Sequence, residues 1–130
     1  MSVMLEQKRA KYALDKVLKE KKDKEKYGTF IRRLPPMILT NGLGQALAFL
    51  LADAEGKEEK PSWRIYSQMQ QWLIIEQKIY AKPDSGLIET IVRGSRSDYM
   101  HAQQEALSLL VWMKKFADAY LPESGGKGNG

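Results

Sequence analysis

An all-α fold, a compact bundle of about five to six helices, is predicted by two features of this 130-residue sequence. Almost every apolar pattern repeats at helical spacing, and no segment alternates apolar and polar residues between turn-forming pairs. The longest unbroken apolar run, Ala46–Ala52, has seven residues. That is far short of the roughly 20 needed to span a bilayer.

The elements follow in order. Ser2 to about Glu25 reads as the first helix, with Val3, Ala10, Leu14 and Val17 sharing one arc. Its end, KEKKDKEK (Lys19–Lys26), holds no apolar residue, so it is either a helix end projecting past the core or a charged linker. Tyr27–Thr40 forms a second helix, which Pro35-Pro36 should kink or restart, since proline lacks a donor and clashes with the preceding turn. Asn41 suits the N-cap of a third helix running to about Ala54, with Gly42 and Gly44 in its first turn. Each glycine there weakens a helix by roughly 0.5–1 kcal/mol relative to Ala, so close approach of a neighbouring helix or subunit is the expected return.

Glu55–Pro61 is a polar loop, after which Ser62 caps a fourth helix ending before Pro83. A short helix covers Leu87–Val92. The last starts near Ser97 and reaches Leu121, with Ala102, Ala106, Leu109, Leu110, Met113, Phe116, Ala117 and Tyr120 on one side. Pro122 ends it, so residues 1–122 read as one helical domain and 123–130, ESGGKGNG, as a disordered tail.

Composition narrows the chemistry. With no cysteine, disulfides and thiolate zinc sites are both excluded. The N-terminus has no apolar signal core, and a soluble, cytoplasmic protein without membrane contact is expected. Net charge is +5, but residues 1–33 carry eleven Lys/Arg against five Asp/Glu, while the other three quarters nearly balance. A basic block of this kind meets an anionic partner or serves as a solvated face.

No catalytic set converges. His101 is the one histidine; with Glu105 at i, i+4 it reads as an ordinary helix-surface pair. No catalytic residue, metal, cofactor or small-molecule substrate is therefore expected. NGLGQAL (Asn41–Leu47) falls short of a dinucleotide fingerprint, because Leu47 occupies the sixth position and Pro35-Pro36 argues against a preceding strand. Trp72 and Trp112 fit core or interface packing, whereas Trp63 and Tyr66 are the best candidates for exposed aromatics.

RAKYAL (Arg9–Leu14), LPPMILTNGLGQALAFLLA (Leu34–Ala52) and EALSLLVWMKKFADAYL (Glu105–Leu121) together resemble the small subunit of the type III-B CRISPR effector, the Cmr complex. The resemblance implies a small, all-helical, non-catalytic protein acting in antiviral defence. It further implies that copies stack into a minor filament beside the other subunits and help line the groove holding the CRISPR (guide) RNA and target RNA. No residue role carries over by motif.

The candidate RNA contacts come instead from charge placement. On one continuous helix, Lys8, Lys11, Lys19, Lys22 and Lys26 form an outward stripe extending roughly 27 Å, opposite the apolar arc. Arg9 and Lys16 on the same segment, Arg32-Arg33, Arg93 with Arg96, and Lys114-Lys115 complete the set. Lysines meet phosphates as mobile point charges without reading sequence. Two other readings stay open: a purely structural assembly subunit with no nucleic-acid contact, or a small DNA-binding domain using the SQMQQW tract (Ser67–Trp72).

Overall fold

The computed structural model describes residues 2–122, with side chains from Met4 onward. Among them are six α-helices and no strand: α1 (Ser2–Leu18), α2 (Lys24–Asn41), α3 (Leu43–Ala54), α4 (Pro61–Gln70), α5 (Leu87–Arg93) and α6 (Arg96–Tyr120). α6 packs against α1 and α2, while α3 lies on α2 and α4. The buried side chains form one continuous apolar cluster drawn from all six helices. The tail expected at 123–130 lies outside the described residues.

The first helix is shorter than its charge pattern suggests. α1 stops at Leu18, and Glu20 N–H closes a tight turn by donating to the Val17 carbonyl at 3.1 Å. α2 begins at Lys24, so the Lys19–Lys26 run is neither a projecting helix end nor a linker throughout. Its first part turns the chain and its last part opens α2. Tertiary burial explains the break: Glu20 turns inward to 5% exposure, and Tyr27 and Ile31, early in α2, are fully buried. A straight helix would carry both past the end of the core.

The buried face of α1 is also rotated, by about 90°, from the arc of Ala10, Leu14 and Val17. Tyr12, Ala13 and Val17 are buried, whereas Ala10 and Leu14 are only half-buried. Tyr12 can enter because its hydroxyl donates to the Gln68 carbonyl at 2.7 Å. Counting apolar residues misses such amphipathic side chains, whose polar ends have their own partners.

α2 runs through Pro35 and Pro36 without restarting. The φ of proline is compatible with a helix, and burial of Ile31, Leu34 and Ile38 outweighs the two lost donors. The helix ends instead at Gly42, whose N–H donates to the Ile38 carbonyl at 2.8 Å with φ at +92°. Gly42, and not Asn41, therefore occupies the cap between α2 and α3. Pro61 takes the first position of α4, after Lys60 as cap. Ser62 sits inside the helix and donates to Asp53 Oδ2 at 2.7 Å. α4 widens into a π-helical stretch, Gln71–Glu76, and ends there, seven residues before Pro83. Ser95 caps α6 by accepting from Asp98 N–H at 3.0 Å. Tyr120, expected on the buried side, is exposed at the end of α6.

Candidate nucleic-acid interface

The NGLG junction is built for packing against α6. Free N–H groups at the start of a helix are a natural anion site. Here the Leu43 N–H donates to Gln103 Oε1 at 2.9 Å and the Gly44 N–H to the Tyr99 hydroxyl at 3.0 Å. These donors are spent within the chain. A Cβ on Gly42 would lie 2.9 Å from the Tyr99 oxygen, in a backbone conformation that disfavours any side chain. At Gly44 the same atom would be 3.6 Å away, an ordinary contact. The tight approach belongs to Gly42.

His101 and Glu105 do not form a surface pair. Glu105 is 4% exposed and accepts two hydrogen bonds from Arg9, both at 2.8 Å, and one from Trp72 Nε1 at 2.9 Å. The carboxylate raises the Arg9 pKa, chiefly through its hydrogen bonds, against the opposing effect of burial. Three segments distant in sequence meet at this one carboxylate. His101 points to solvent. Among the described residues no group of three or more His, Cys, Asp or Glu could hold a metal ion, and no helix is long and apolar enough to cross a membrane.

The basic residues fall into separate groups. Lys8, Lys11, Lys16 and Lys19 line a cleft of about 390 Å³ between α1 and the π-helical stretch that continues α4. Lys16 and Lys19 also line an adjoining cleft of about 590 Å³, shared with Lys21, Lys22, Trp63 and Arg64. The two clefts therefore make one seam. Lys11 pairs with Asp15 at 3.5 Å, and the Lys16 ammonium lies 4.9 Å from the Tyr12 ring centroid. Lys8, Lys19, Lys21 and Lys22 are exposed. The floor is fixed by Arg64, which bonds both oxygens of Glu20 and the Glu59 carbonyl.

Other candidates lie elsewhere. Arg9 is held by Glu105 and by Glu6, at 2.7 Å from the latter. Arg32 joins α2 to the end of α6, bonding Asp118 at 2.7 Å and the Leu121 carbonyl at 3.0 Å. Lys26 and Arg33 border a third cleft, of about 460 Å³, away from the seam, and Arg33 stacks over Phe49 at 5.2 Å. Arg93 pairs with Asp84 at 2.9 Å, and Arg96 is exposed at the start of α6. Lys114 reaches Asp118 at 3.7 Å beside the exposed Lys115. The single straight stripe is thus split by the turn at Lys19–Asp23: Lys8, Lys11, Lys19 and Lys22 stay with the seam, and Lys26 leaves it.

Sequence reading passed over Lys21 and Arg64, which lie off the helical stripe and acquire meaning only when α1 and α4 meet. Of the two aromatics expected at the surface, Trp63 is half-buried in the larger cleft. Tyr66 is 5% exposed, its hydroxyl accepting from the Ile88 N–H at 2.9 Å. Burial raises its pKa. The polar end of Tyr66 caps a helix start inside the fold, which removes the need for solvent.

Comparison with protein families matches residues 5–120 to the family described as CRISPR-associated protein (Cas_Cmr5). The matched span takes in α6 with its Glu105 anchor, the NGLG junction and the whole lysine seam. This chain belongs to the Cas_Cmr5 family, and is a subunit of the type III-B Cmr effector complex of CRISPR defence.

Proposed function

We propose that this subunit is non-catalytic, that its copies stack into a minor filament of the effector, and that the α1–α4 seam holds the backbone of guide and target RNA. One observation carries the RNA contact. Lys8, Lys19, Lys21 and Lys22 converge on two joined clefts without an ion pair among the described residues. From Lys8 to Lys19 the helix rises about 16 Å, enough to meet several phosphates in succession. Such contacts give affinity without reading bases, which suits a complex whose sequence recognition is delegated to pairing with the guide. The non-catalytic reading is supported by the engagement of the buried carboxylates Glu20 and Glu105 with arginines.

The test is a combined Lys8→Glu, Lys19→Glu, Lys22→Glu variant in reconstituted complex. The expected result is normal incorporation with weaker RNA binding. The plot of log affinity against log salt should become shallower by about two, at roughly 0.7 for each phosphate that a lysine no longer neutralises. Failed incorporation, with RNA affinity per assembled complex intact, would assign the seam to an acidic protein partner and overturn the proposal.

A further inference from the structure

The three tryptophans differ in one respect. Trp72 Nε1 donates to Glu105 and Trp112 Nε1 to Glu6, at 2.9 and 2.8 Å. The Nε1 of Trp63 has no hydrogen-bond partner among the described residues. Trp63 opens α4 and forms part of the larger cleft, together with Lys16, Lys19, Lys21 and Lys22 from α1 and the turn that follows. Its ring rests against Tyr66, with centroids 6.0 Å apart and planes tilted by 35°. Tyr66 is itself fixed by burial and by the bond from Ile88 N–H. The indole therefore lies beside an immobile ring and borders a cleft that four lysines line from the α1 side.

We propose that Trp63 is the stacking platform for an unpaired base of single-stranded RNA, whose phosphates follow Lys19 and Lys16 toward Lys8. The inference rests on the reading of the seam as an RNA-binding edge and adds to its backbone contacts a site for a nucleotide left unpaired. The charge distribution sets the orientation. Glu58 and Glu59 line the cleft beside Trp63, on the α4 side. Their carboxylates repel phosphate, so the backbone is driven to the α1 lysines and the α4 wall is left for the base. At about 590 Å³ the cleft lies within the range of about 300–1,000 Å³ typical of sites for small ligands. An aromatic face accepts any base, so stacking adds affinity without sequence preference. It does require an uncovered base face, which a duplex does not offer.

The experiment uses the full chain with an oligouridylate of about twelve nucleotides, a length within the usual single-strand site sizes, and a blunt RNA duplex of equal length. Binding is read by anisotropy of the labelled RNA and by tryptophan fluorescence, with far-ultraviolet dichroism confirming that each variant is folded. The single strand should bind more tightly than the duplex and quench fluorescence, and the quenching should vanish in Trp63→Leu, which fills the space without an aromatic face. Trp63→Leu should weaken binding by about five- to a hundredfold with the salt slope unchanged. Trp63→Phe should retain most of the affinity. Lys19→Glu should lower the salt slope and keep the quenching at saturation.

Unchanged affinity and quenching in Trp63→Leu, while Lys19→Glu still weakens binding, would discard the stacking platform and leave the seam as an RNA edge. Equal affinity for the duplex would likewise overturn the selection for unpaired bases. No binding by the native chain, in isolation or in the complex, would sink both readings together. Displacement of the RNA by a short oligoglutamate peptide at lower concentration would assign the cleft to an acidic protein segment instead.

Discussion

Replacing Glu105 with Gln tests the central polar anchor of the fold with almost no change in volume. The native carboxylate accepts three hydrogen bonds, two from Arg9 and one from Trp72, while its side chain is 5% exposed and that of Arg9 is 13% exposed. The amide has one acceptor oxygen, and its NH₂ group confronts donors. At least one buried N–H is then left without a partner, at about 1–3 kcal/mol, and the Arg9 charge loses its buried counterion. Breaking a buried pair costs about 3–5 kcal/mol; the remaining bond from Arg9 to Glu6 places this case near 3. Against a total stability of about 5–15 kcal/mol, that is a large fraction. With a urea m-value of about 2 kcal/mol/M, the midpoint should fall by about 1.5 M at unchanged m. Arg9→Met combined with Glu105→Leu should recover part of the loss, since an apolar replacement of a buried pair is often neutral. A loss below about 1 kcal/mol for Glu105→Gln, or strictly additive effects of the two positions, would refute the reasoning, because it would mean the network is screened by solvent.

Gly42→Ala should destabilise the chain by about 1–3 kcal/mol, since a side chain is strained at φ +92° and ψ 159° and meets Tyr99, whereas Gly44→Ala should be neutral or mildly stabilising. Equal melting-temperature losses for the two would contradict this. Burial raises the pKa of both Tyr27 and Tyr12, aided by the negative charges of Glu20 and Glu76 respectively. Because the folded state favours the neutral phenol, this stability is fully present below the ordinary tyrosine value of about 10 and is lost as pH rises beyond it. Tyr27→Phe should therefore flatten the alkaline limb of stability against pH; superimposable limbs would count against the burial argument. The triple lysine reversal at positions 8, 19 and 22 should change folding stability by no more than about 0.5 kcal/mol, as measured by urea melts, because all three side chains are exposed.

Sequence alone indicated the helical class, a last helix from near Ser97 to Leu121, a short helix at Leu87–Val92 and a break near Asn41, each within a residue or so of where the structure has it. These follow from local periodicity and from glycine and proline, which act within a few residues. It also placed the basic excess in the first quarter of the chain and carried the family resemblance. It did not determine where α1 ends or which way α1 faces. Helical spacing extended α1 through a lysine-rich run, but burial of Glu20 against Arg64 and of Tyr27 in the core bends the chain there. The solitary glycines illustrate the same division: both looked alike in NGLG, yet only Gly42 lies against Tyr99 at a distance that a Cβ would violate. Glu105 read as a surface residue because its partners lie 96 and 33 positions away in sequence. The lysine seam became a cleft only when α4 brought Trp63 and Arg64 beside α1. Local patterns fix what each segment prefers; pairing of buried polar groups between distant segments decides which face is buried and where the charges gather.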